Sequence, residues 1–351
     1  MCANIVTANI NFTVLKEYST EGKNSKVYLV KDNQLDCELI LKAIPKASFS
    51  SCDEYFKEAS TLYAQKHPNI MDVQYACEYG DMSLFTMPVY NKGSLGGVKS
   101  SLYTCREILK YAFDVVGGLH YIHCNGLVHL DIKPSNVLVG CNNVAVLSDF
   151  GFAKFTDTNG FVHHNTFYGT HYPPERLLAT HVTNLSDIYQ VGITLYRLCN
   201  GEFVFQNQVN ALATIPAILD AIKKGRFPNR KTYLPHIPLA LRRIINKSIN
   251  TDPDKRYRTV LDLKNALAAI DGDLDWRLEQ DLSRPLWTWR SEDIIKSKEI
   301  VLDMRQLPGK ITVSKLNKRS GKVQHLKAYS SNDVQSIEDG FARCQKAIFE
   351  I

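Results

Sequence analysis

The chain has 351 residues, of which 44% are hydrophobic and 22% are charged. These values are typical of a soluble globular protein with one large domain or two smaller ones. The formal net charge of +6 permits acidic partners without requiring them. The nine Cys residues include no Cys-x-x-Cys pair, which argues against a structural zinc site and a disulfide framework and favours a reducing compartment.

Residues 1–7 contain no basic segment followed by a long apolar run. No apolar run elsewhere approaches the length of a membrane span. We therefore expect no signal peptide, no membrane partner and a cytoplasmic location, or a nuclear one if the host has a nucleus.

The first part of the chain, residues 12–90, consists mainly of short apolar strands interrupted by one helix. Lys42 stands at the end of a predicted strand. The predicted helix carries Glu58 near its start and ends before Pro68, which cannot continue it. Residues 20–27 lie between strands, and on their own would be interpreted as a hairpin turn.

Apolar residues recur with a period close to 3.6 from Cys105 to Cys124, which predicts a long helix. His120 and His123 lie three residues apart on this helix. Their spacing permits a metal pair, but ordinary helix histidines explain it more simply.

The most informative stretch is 126–139, which is followed ten residues later by Asp149-Phe-Gly. It contains a carboxylate at Asp131, a cation at Lys133 and an amide oxygen at Asn136. Phosphoryl transfer from ATP needs a base that orients a hydroxyl, a cation near the moving phosphate and two oxygen ligands for magnesium. These motifs supply every part.

The two motifs resemble those of the eukaryotic-type protein kinase family, whose catalytic loop reads His-Arg-Asp with Asn five residues after the Asp. Here Leu130 stands where Arg is usual. A coincidental loop in an unrelated α/β protein is the alternative. The resemblance covers about 12–270. It implies an α+β protein with a two-lobed kinase domain over 12–271, divided near residue 90, and a small α+β domain over 272–351.

The resemblance implies a role for each residue of the motifs. Asp131 would orient the acceptor hydroxyl, Lys133 would contact the γ-phosphate, and Asn136 and Asp149 would bind Mg²⁺. The residues implied in ATP binding are Thr20, Gly22, Ser25, Val27, Lys42, Glu58, Pro88, Tyr90 and Leu138.

Within this nucleotide site, Lys42 would hold the α- and β-phosphates and Glu58 would pair with Lys42, a solvated Glu58 being the alternative. Thr20 and Ser25 replace two of the family's three glycines. Ile40 stands where a small residue is usual, so it should narrow the adenine pocket. Met87 would lie at the back of that pocket.

A polar loop over 152–172 follows the metal motif and ends at Pro173-Pro-Glu, which resembles the family's Ala-Pro-Glu. The resemblance implies a buried ion pair between Glu175 and Arg256. Asp187, at the start of an apolar helix, would accept backbone N–H groups of the catalytic loop, cap its own helix, or do both.

The function implied is that of an ATP-dependent serine/threonine protein kinase, because Lys133 follows the family's serine/threonine pattern. We also expect this kinase to autophosphorylate. Leu130 cannot donate a hydrogen bond to a phosphate, so we expect activity without loop phosphorylation through that contact. Two alternatives stay open: a nucleotide-binding pseudokinase scaffold, and a kinase regulated by nucleic acid through its C-terminal domain.

Beyond residue 270 the resemblance ends. We expect a linker over 271–276. The three Trp residues at 276, 287 and 289 indicate that this linker packs against the protein surface rather than extending into solvent. We expect a short helix after Ser291, strands over 298–304, 311–316 and 322–329, and a helix over 331–351. The order helix, three strands, helix resembles a double-stranded RNA-binding domain, although that module's lysine cluster is missing.

The predicted hairpin within 305–327 carries basic residues and no acidic one. They are Arg305, Lys310, Lys315, Lys318, Arg319, Lys322 and Lys327. An acidic protein or a nucleic acid could contact such a face, while a solvated strand edge protected by Lys is the commoner explanation.

Overall fold

The structure is a computed structural model. It describes residues 9–18, 25–49, 51, 54–97, 102–163, 169–179, 181–272, 274–281, 286–293, 298–305 and 309–351. The chain divides into two compact units, one formed by 1–93 and 138–153 and the other by 94–137 and 154–351.

The first unit is built on a five-stranded antiparallel sheet with the order β1-β2-β3-β5-β4. Its elements are β1 (Phe12–Tyr18), β2 (Lys26–Asp32), β3 (Cys37–Pro45), α1 (Lys57–Ala64), β4 (Tyr75–Tyr79) and β5 (Met82–Met87). Side chains alternate between the two faces of a strand. Leu39, Leu41 and Ala43 are therefore buried in an apolar core on one face of β3, and Lys42 lies on the opposite face.

Helices dominate the middle of the chain. They are α2 (Cys105–Cys124), α3 (Leu185–Leu212), α4 (Ile215–Lys223), α5 (Leu239–Ser248) and α6 (Val260–Ala268). Short two-stranded pairs are formed by β6 (Leu127–Val128) with β9 (Lys154–Phe155), β7 (Val137–Val139) with β8 (Ala145–Leu147), and β10 (Val162–His163) with β11 (His181–Val182).

Helix α2 has the bounds that its periodicity predicts. It begins there because Thr104 and Glu107 form a capping box, each side chain accepting a hydrogen bond from the other's backbone N–H. Helix α3 is the central element of the second unit and is buried along most of its first half. At Gly192 a Cβ atom would lie 2.6 Å from Ile249 Cγ2, so only glycine allows this close approach of α3 to the end of α5.

The last part of the chain forms a six-stranded antiparallel sheet and one helix. The strands are β12 (Arg277–Asp281), β13 (Leu286–Asp293), β14 (Lys298–Arg305), β15 (Gly309–Asn317), β16 (Val323–His325) and β17 (Ser331–Val334), and the helix is α7 (Ile337–Glu350). The order is β12-β13-β14-β15-β16, with β17 also paired to β15. As the sequence predicts, Trp276, Trp287 and Trp289 are buried.

A short helix after Ser291 would have to lie over 294–297, outside the described residues, because β13 continues to Asp293. Two predictions for this sheet and its helix are wrong in detail. The strand predicted over 322–329 is only three residues long. The final helix starts at Ile337, where the Ser336 side chain caps it, and 331–334 form a strand. Since residues 277–281 and 286–293 are strands, the double-stranded RNA-binding interpretation is also wrong.

The α+β class is confirmed, while the domain boundary at 271 stays a prediction. Within the described ranges, no helix combines the length and the apolar composition that a membrane crossing requires. The cytoplasmic location stays a prediction.

Candidate active site

In the first unit, one Lys lies between two carboxylates. Lys42 Nζ is 2.8 Å from Glu58 Oε1 and 3.1 Å from Asp149 Oδ1. Helix α1 presents Glu58 toward β3, so the solvated alternative for this residue does not hold. The side chains of Lys42 and Glu58 are 15% and 11% exposed, whereas that of Asp149 is 38% exposed.

The electrostatics of this triad follow from one cation facing two anions. Burial by itself would lower the pKa of the Lys42 ammonium, but the charges of Glu58 and Asp149 outweigh it and raise that pKa. Burial raises the pKa of the Glu58 carboxyl, and repulsion from Asp149 works in the same direction against the attraction of Lys42. The triad therefore consists of a charged Lys42 and two carboxyl groups, one more than the single ammonium can balance.

The face of the sheet that carries Lys42 also carries apolar residues. Val27 is the cross-strand partner of Lys42 on β2, and Ile40 lies two residues earlier on the same face, with Met87 of β5 as its partner. Val27 and Ile40 are half-buried, as is Leu138, while Met87 is buried. Val27, Ile40 and Met87 form an apolar surface beside a cation, and Leu138 lies on β7, outside this sheet.

The remaining nucleotide-binding predictions are described in part. Pro88 and Tyr90 follow β5 and are half-buried, and so is Ser25 before β2. Thr20 and Gly22 lie outside the described residues.

In the second unit, the catalytic-loop residues form a compact polar cluster. Lys133 Nζ donates to Asp131 Oδ2 over 2.9 Å. The Asn136 amide nitrogen donates to the same Asp131 oxygen over 2.8 Å and to the Asp131 backbone carbonyl over 2.9 Å. Because the amide nitrogen is used in this way, its oxygen points away from Asp131.

The loop is held by α3 through its backbone. Asp187 accepts hydrogen bonds from the backbone N–H groups of His129 and Leu130, both at 2.8 Å. Gln190, one turn further along α3, accepts from the Ile132 N–H and donates to the Leu130 carbonyl. Asp187 does not cap its helix, whose N-cap position is Asn184.

Leu130 has a backbone φ of +66° and is 2% exposed. A left-handed conformation is costly for a residue with a branched side chain and persists only where the surroundings enforce it. The hydrogen bonds from and to α3 provide that enforcement. His123 adds to it, since its Nε2 lies 2.8 Å from Asp187 Oδ2, and this contact with Asp187 accounts for one of the two helix histidines.

Glu175, at the end of the polar loop, and Arg176, which follows it, form two further contacts, of which only that of Arg176 reaches the catalytic loop. Arg176 donates to the Leu130 carbonyl over 3.3 Å and lies over the Tyr172 ring. Glu175 forms a bidentate pair with Arg256, at 2.9 and 2.7 Å. Sequence reasoning found the second pair but missed Arg176 and Gln190. The spacing of Gln190, one helical turn after Asp187, was the one available signal.

The polar loop after Asp149 is described in part. The Thr156 hydroxyl donates to the Gly126 carbonyl, which gives that side chain a structural role. Thr170 is half-buried. Thr166 and Tyr168 lie outside the described residues.

Comparison with known proteins identifies the class of this fold. Residues 17–267 match the family model of the protein kinase domain. This match covers well over half of the chain, and the chain therefore belongs to the protein kinase family.

Several bacterial serine/threonine kinases are similar to it. The chain is 27% identical over 309 residues to the serine/threonine-protein kinase PrkC of Bacillus subtilis, which covers 85% of this chain and 46% of that protein. It is 25% identical over 279 residues to the probable serine/threonine-protein kinase PknB of Lactococcus lactis, covering 77% and 43%. It is 26% identical over 305 residues to the serine/threonine-protein kinase PknD of Chlamydia muridarum, covering 75% and 32%. The chain thus spans less than half the length of these relatives.

Proposed function

We propose that this protein is a serine/threonine protein kinase that transfers the γ-phosphoryl group of ATP to protein hydroxyls. The observation that carries the proposal is the cluster of Asp131, Lys133 and Asn136, which α3 holds in place through the backbone of Leu130. A phosphotransferase needs its charged groups positioned before the substrate arrives, because most of its catalysis is positioning and electrostatic stabilisation.

The oxygen donors that each unit contributes are of the kind that ATP with magnesium needs. Asp149 contributes a partly exposed carboxylate and Asn136 an amide oxygen that is turned away from Asp131, and both are oxygen ligands of the kind Mg²⁺ prefers. When bound, the metal neutralises charge on the phosphates. Lys42, kept charged by Glu58 and Asp149, would bind the α- and β-phosphates. Val27, Ile40 and Leu138 would contact the adenine ring, and Pro88 and Tyr90 would offer backbone groups to its edge.

Asp131 would accept the proton of the Ser or Thr hydroxyl as the hydroxyl oxygen forms a bond to the γ-phosphorus. The bond between that phosphorus and the β–γ bridging oxygen breaks, and ADP leaves with the electron pair. Lys133, already beside Asp131, would balance the negative charge that develops on the transferred group. Removing a base in this position typically costs about 10²–10⁴ in rate.

The test is incubation of purified protein with ATP and Mg²⁺, with a generic basic protein as acceptor, followed by phosphosite mass spectrometry. Asp131→Asn and Asp149→Asn should each abolish phosphate on Ser and Thr. Asp220→Asn is the matched control, because Asp220 lies on α4 and forms only exposed ion pairs with Lys224 and Arg226.

The pseudokinase alternative predicts a different result. No transfer would occur, while ATP would raise the melting temperature of the wild type and of Asp131→Asn but not of Lys42→Ala. Phosphate transfer that persists in Asp131→Asn would contradict our assignment of the base.

A second candidate function is binding of an acidic partner, such as a nucleic acid. The partner would contact the basic residues of β15 and of the segments on either side of it. Among the described residues, Lys310, Lys322 and Lys327 are exposed and form no ion pair. Affinity for duplex RNA and DNA at two salt concentrations tests this contact. Binding that weakens steeply with salt supports it, and no binding at low salt excludes a nucleic acid.

A further inference from the structure

The positive charge of this chain is concentrated in residues 221–260, between the end of α4 and the start of α6. This segment contains eleven Lys and Arg residues and only two acidic ones, Asp252 and Asp254. The whole chain has 42 basic and 36 acidic residues, so outside the segment acidic residues outnumber basic ones by three. Such an uneven distribution creates a local positive potential on an otherwise nearly neutral protein.

Carboxylates neutralise only part of this charge. Four of the eleven cations form ion pairs, with Asp220, Asp252 or Glu175 as the partner. Asp220 serves two of them, so three carboxylates balance four cations. Within the part of the chain that the structure describes, the other seven form no ion pair. They are Lys223, Arg230, Lys231, Arg242, Arg243, Lys247 and Arg258.

Two of these seven, Arg230 and Arg242, are half-buried and donate to carbonyl oxygens instead of carboxylates. Arg230 Nη2 donates to the Ile249 carbonyl over 2.7 Å, and Arg242 Nε donates to the Ile237 carbonyl over 2.8 Å. A carbonyl group satisfies the N–H donor but carries no net charge, so it leaves the positive charge of the guanidinium in place. Both residues therefore add to the potential of the exposed cations around them.

Tertiary contacts bring the exposed cations together. Asn246 of α5 donates to the Arg230 carbonyl over 3.1 Å, which joins the stretch before α5 to this helix. Lys247 Nζ lies 4.2 Å from the centroid of the Tyr257 ring, which joins α5 to the stretch before α6. Exposed cations adjoin these contacts or lie one helical turn away. We call them the basic face, which consists of Lys231, Arg243, Lys247 and Arg258.

The basic face also has an apolar component. Leu239, Arg243 and Lys247 follow one another at four-residue intervals on α5, so they lie on the same side of the helix. Leu239 is 54% exposed, and Leu261, three residues after Arg258, is 43% exposed. A nucleic acid would present its phosphates to such a surface and leave these apolar side chains uncovered. A protein segment can supply both carboxylates and apolar side chains.

We propose that the basic face is a docking surface for an acidic protein segment that carries apolar side chains between its carboxylates. The cations attract and orient the segment, and one of its apolar side chains covers Leu239. The residues of the face all lie in the second unit, and none of them belongs to the catalytic loop. This inference goes beyond the proposed kinase function and does not depend on phosphate transfer.

The test is fluorescence anisotropy with the full chain and a labelled peptide of Glu and Leu in which every fourth residue is Leu. The wild type should bind this peptide, and the affinity should fall as the salt concentration rises. The triple variant Lys231→Gln, Arg243→Gln and Lys247→Gln should weaken binding about tenfold or more at low salt.

A second variant tests the apolar component. Leu239→Ser removes an exposed apolar side chain without changing the charge of the face. It should weaken binding of the Glu and Leu peptide about three- to tenfold. Binding of an all-Glu peptide should not change, because that peptide has no apolar side chain to cover Leu239.

The matched control removes the same charge from the other basic surface. Lys310→Gln, Lys322→Gln and Lys327→Gln, made together, replace three exposed cations around β15 that form no ion pair among the described residues. This variant should bind the peptide as the wild type does. Thermal melting of both triple variants shows that each is folded, since every replaced side chain is exposed.

Three outcomes would overturn the inference: no binding of the acidic peptide at low salt, equal losses in the two triple variants, or an unchanged affinity of Leu239→Ser for the Glu and Leu peptide. Duplex RNA and vesicles of anionic lipid are the competing probes. Tighter binding of either one through the basic face would assign the face to a nucleic acid or a membrane surface and refute our proposal. A chain that transfers phosphate but does not bind the peptide would refute this inference alone.

Discussion

The guanidinium of Arg176 donates a hydrogen bond to the backbone carbonyl of Leu130 over 3.3 Å. Leu130 occupies the position where the family usually has an Arg that contacts a phosphate on the activation loop. In this chain the direction of the contact is reversed. Arg176, which directly follows the Pro-Pro-Glu segment, reaches the catalytic loop itself.

Shortening Arg176 should therefore weaken the positioning of Asp131. We expect Arg176→Met to lower kcat about tenfold, since a long charge-assisted hydrogen bond contributes about 1–1.5 kcal/mol, and Arg176→Lys to recover part of it. Steady-state kinetics with the generic basic protein would measure this. Arg226→Met, at an exposed surface pair, is the control, and equal rates for Arg176→Met and the wild type would contradict the role.

Loop phosphorylation should be dispensable, because Leu130 offers no donor to a phosphate. Replacing Thr158, Thr166 and Thr170 of the polar loop together with Ala, while keeping Thr156 for its hydrogen bond to Gly126, should leave the rate within about tenfold of the wild type. Initial rates, with mass spectrometry to show which sites are modified, provide the measurement. A loss of a hundredfold or more would show that a loop phosphate is needed after all.

Glu58 should matter for nucleotide binding through Lys42. Glu58→Gln keeps the shape of the side chain but removes one of the two anions beside the ammonium, so we expect a rise in the KM for ATP of about tenfold or more. The KM for the protein acceptor should not change. Glu54→Gln, four residues earlier in the chain and before α1, is the control. An unchanged KM for ATP in Glu58→Gln would mean that Asp149 alone positions Lys42.

The pair of Arg256 and Glu175 should be important for stability. The Arg256 side chain is fully buried and that of Glu175 is 17% exposed, so Arg256→Ala leaves a carboxylate without its partner at a cost of about 3–5 kcal/mol. Urea denaturation would measure the free energy of unfolding. The double variant Arg256→Met with Glu175→Gln should be less destabilised than Arg256→Ala, and the opposite order would refute this account.

His236 should make stability depend on pH. It is buried, its Nδ1 accepts from the Trp289 indole N–H over 3.2 Å, and burial together with the nearby Arg242 lowers its pKa to about 3. Between that value and its ordinary pKa of about 6.5, the unfolded chain binds a proton that the native chain does not. Stability should thus fall by about 2 kcal/mol between pH 7 and pH 5 through this residue.

The variant His236→Asn can still accept from Trp289 but does not titrate in this range. Its free energy of unfolding should change less between pH 7 and pH 5 than that of the wild type. His325→Asn, at an exposed position of β16, is the control and should keep the wild-type slope. Equal slopes for His236→Asn and the wild type would show that His236 is not the group responsible.

The sequence by itself determined the parts that depend on local pattern. The bounds of α2 follow from a 3.6-residue period and a capping box. The catalytic loop, the Asp-Phe-Gly motif and the Lys42 strand were recognisable because their residues are close in sequence and ordered along the chain. The β14 strand was also found locally, from its run of β-formers.

Only the tertiary structure decided the contacts between distant segments. Gln190 and Arg176 reach Leu130 from 60 and 46 residues away, and no local pattern announces such a bond. In the last part of the chain, β17 was merged into α7, since short strands draw their stability from their neighbours in a sheet. The hydrogen bond from Arg277 of β12 to the Leu102 carbonyl joins residues 175 positions apart. Long-range packing rather than local propensity selects such a partner.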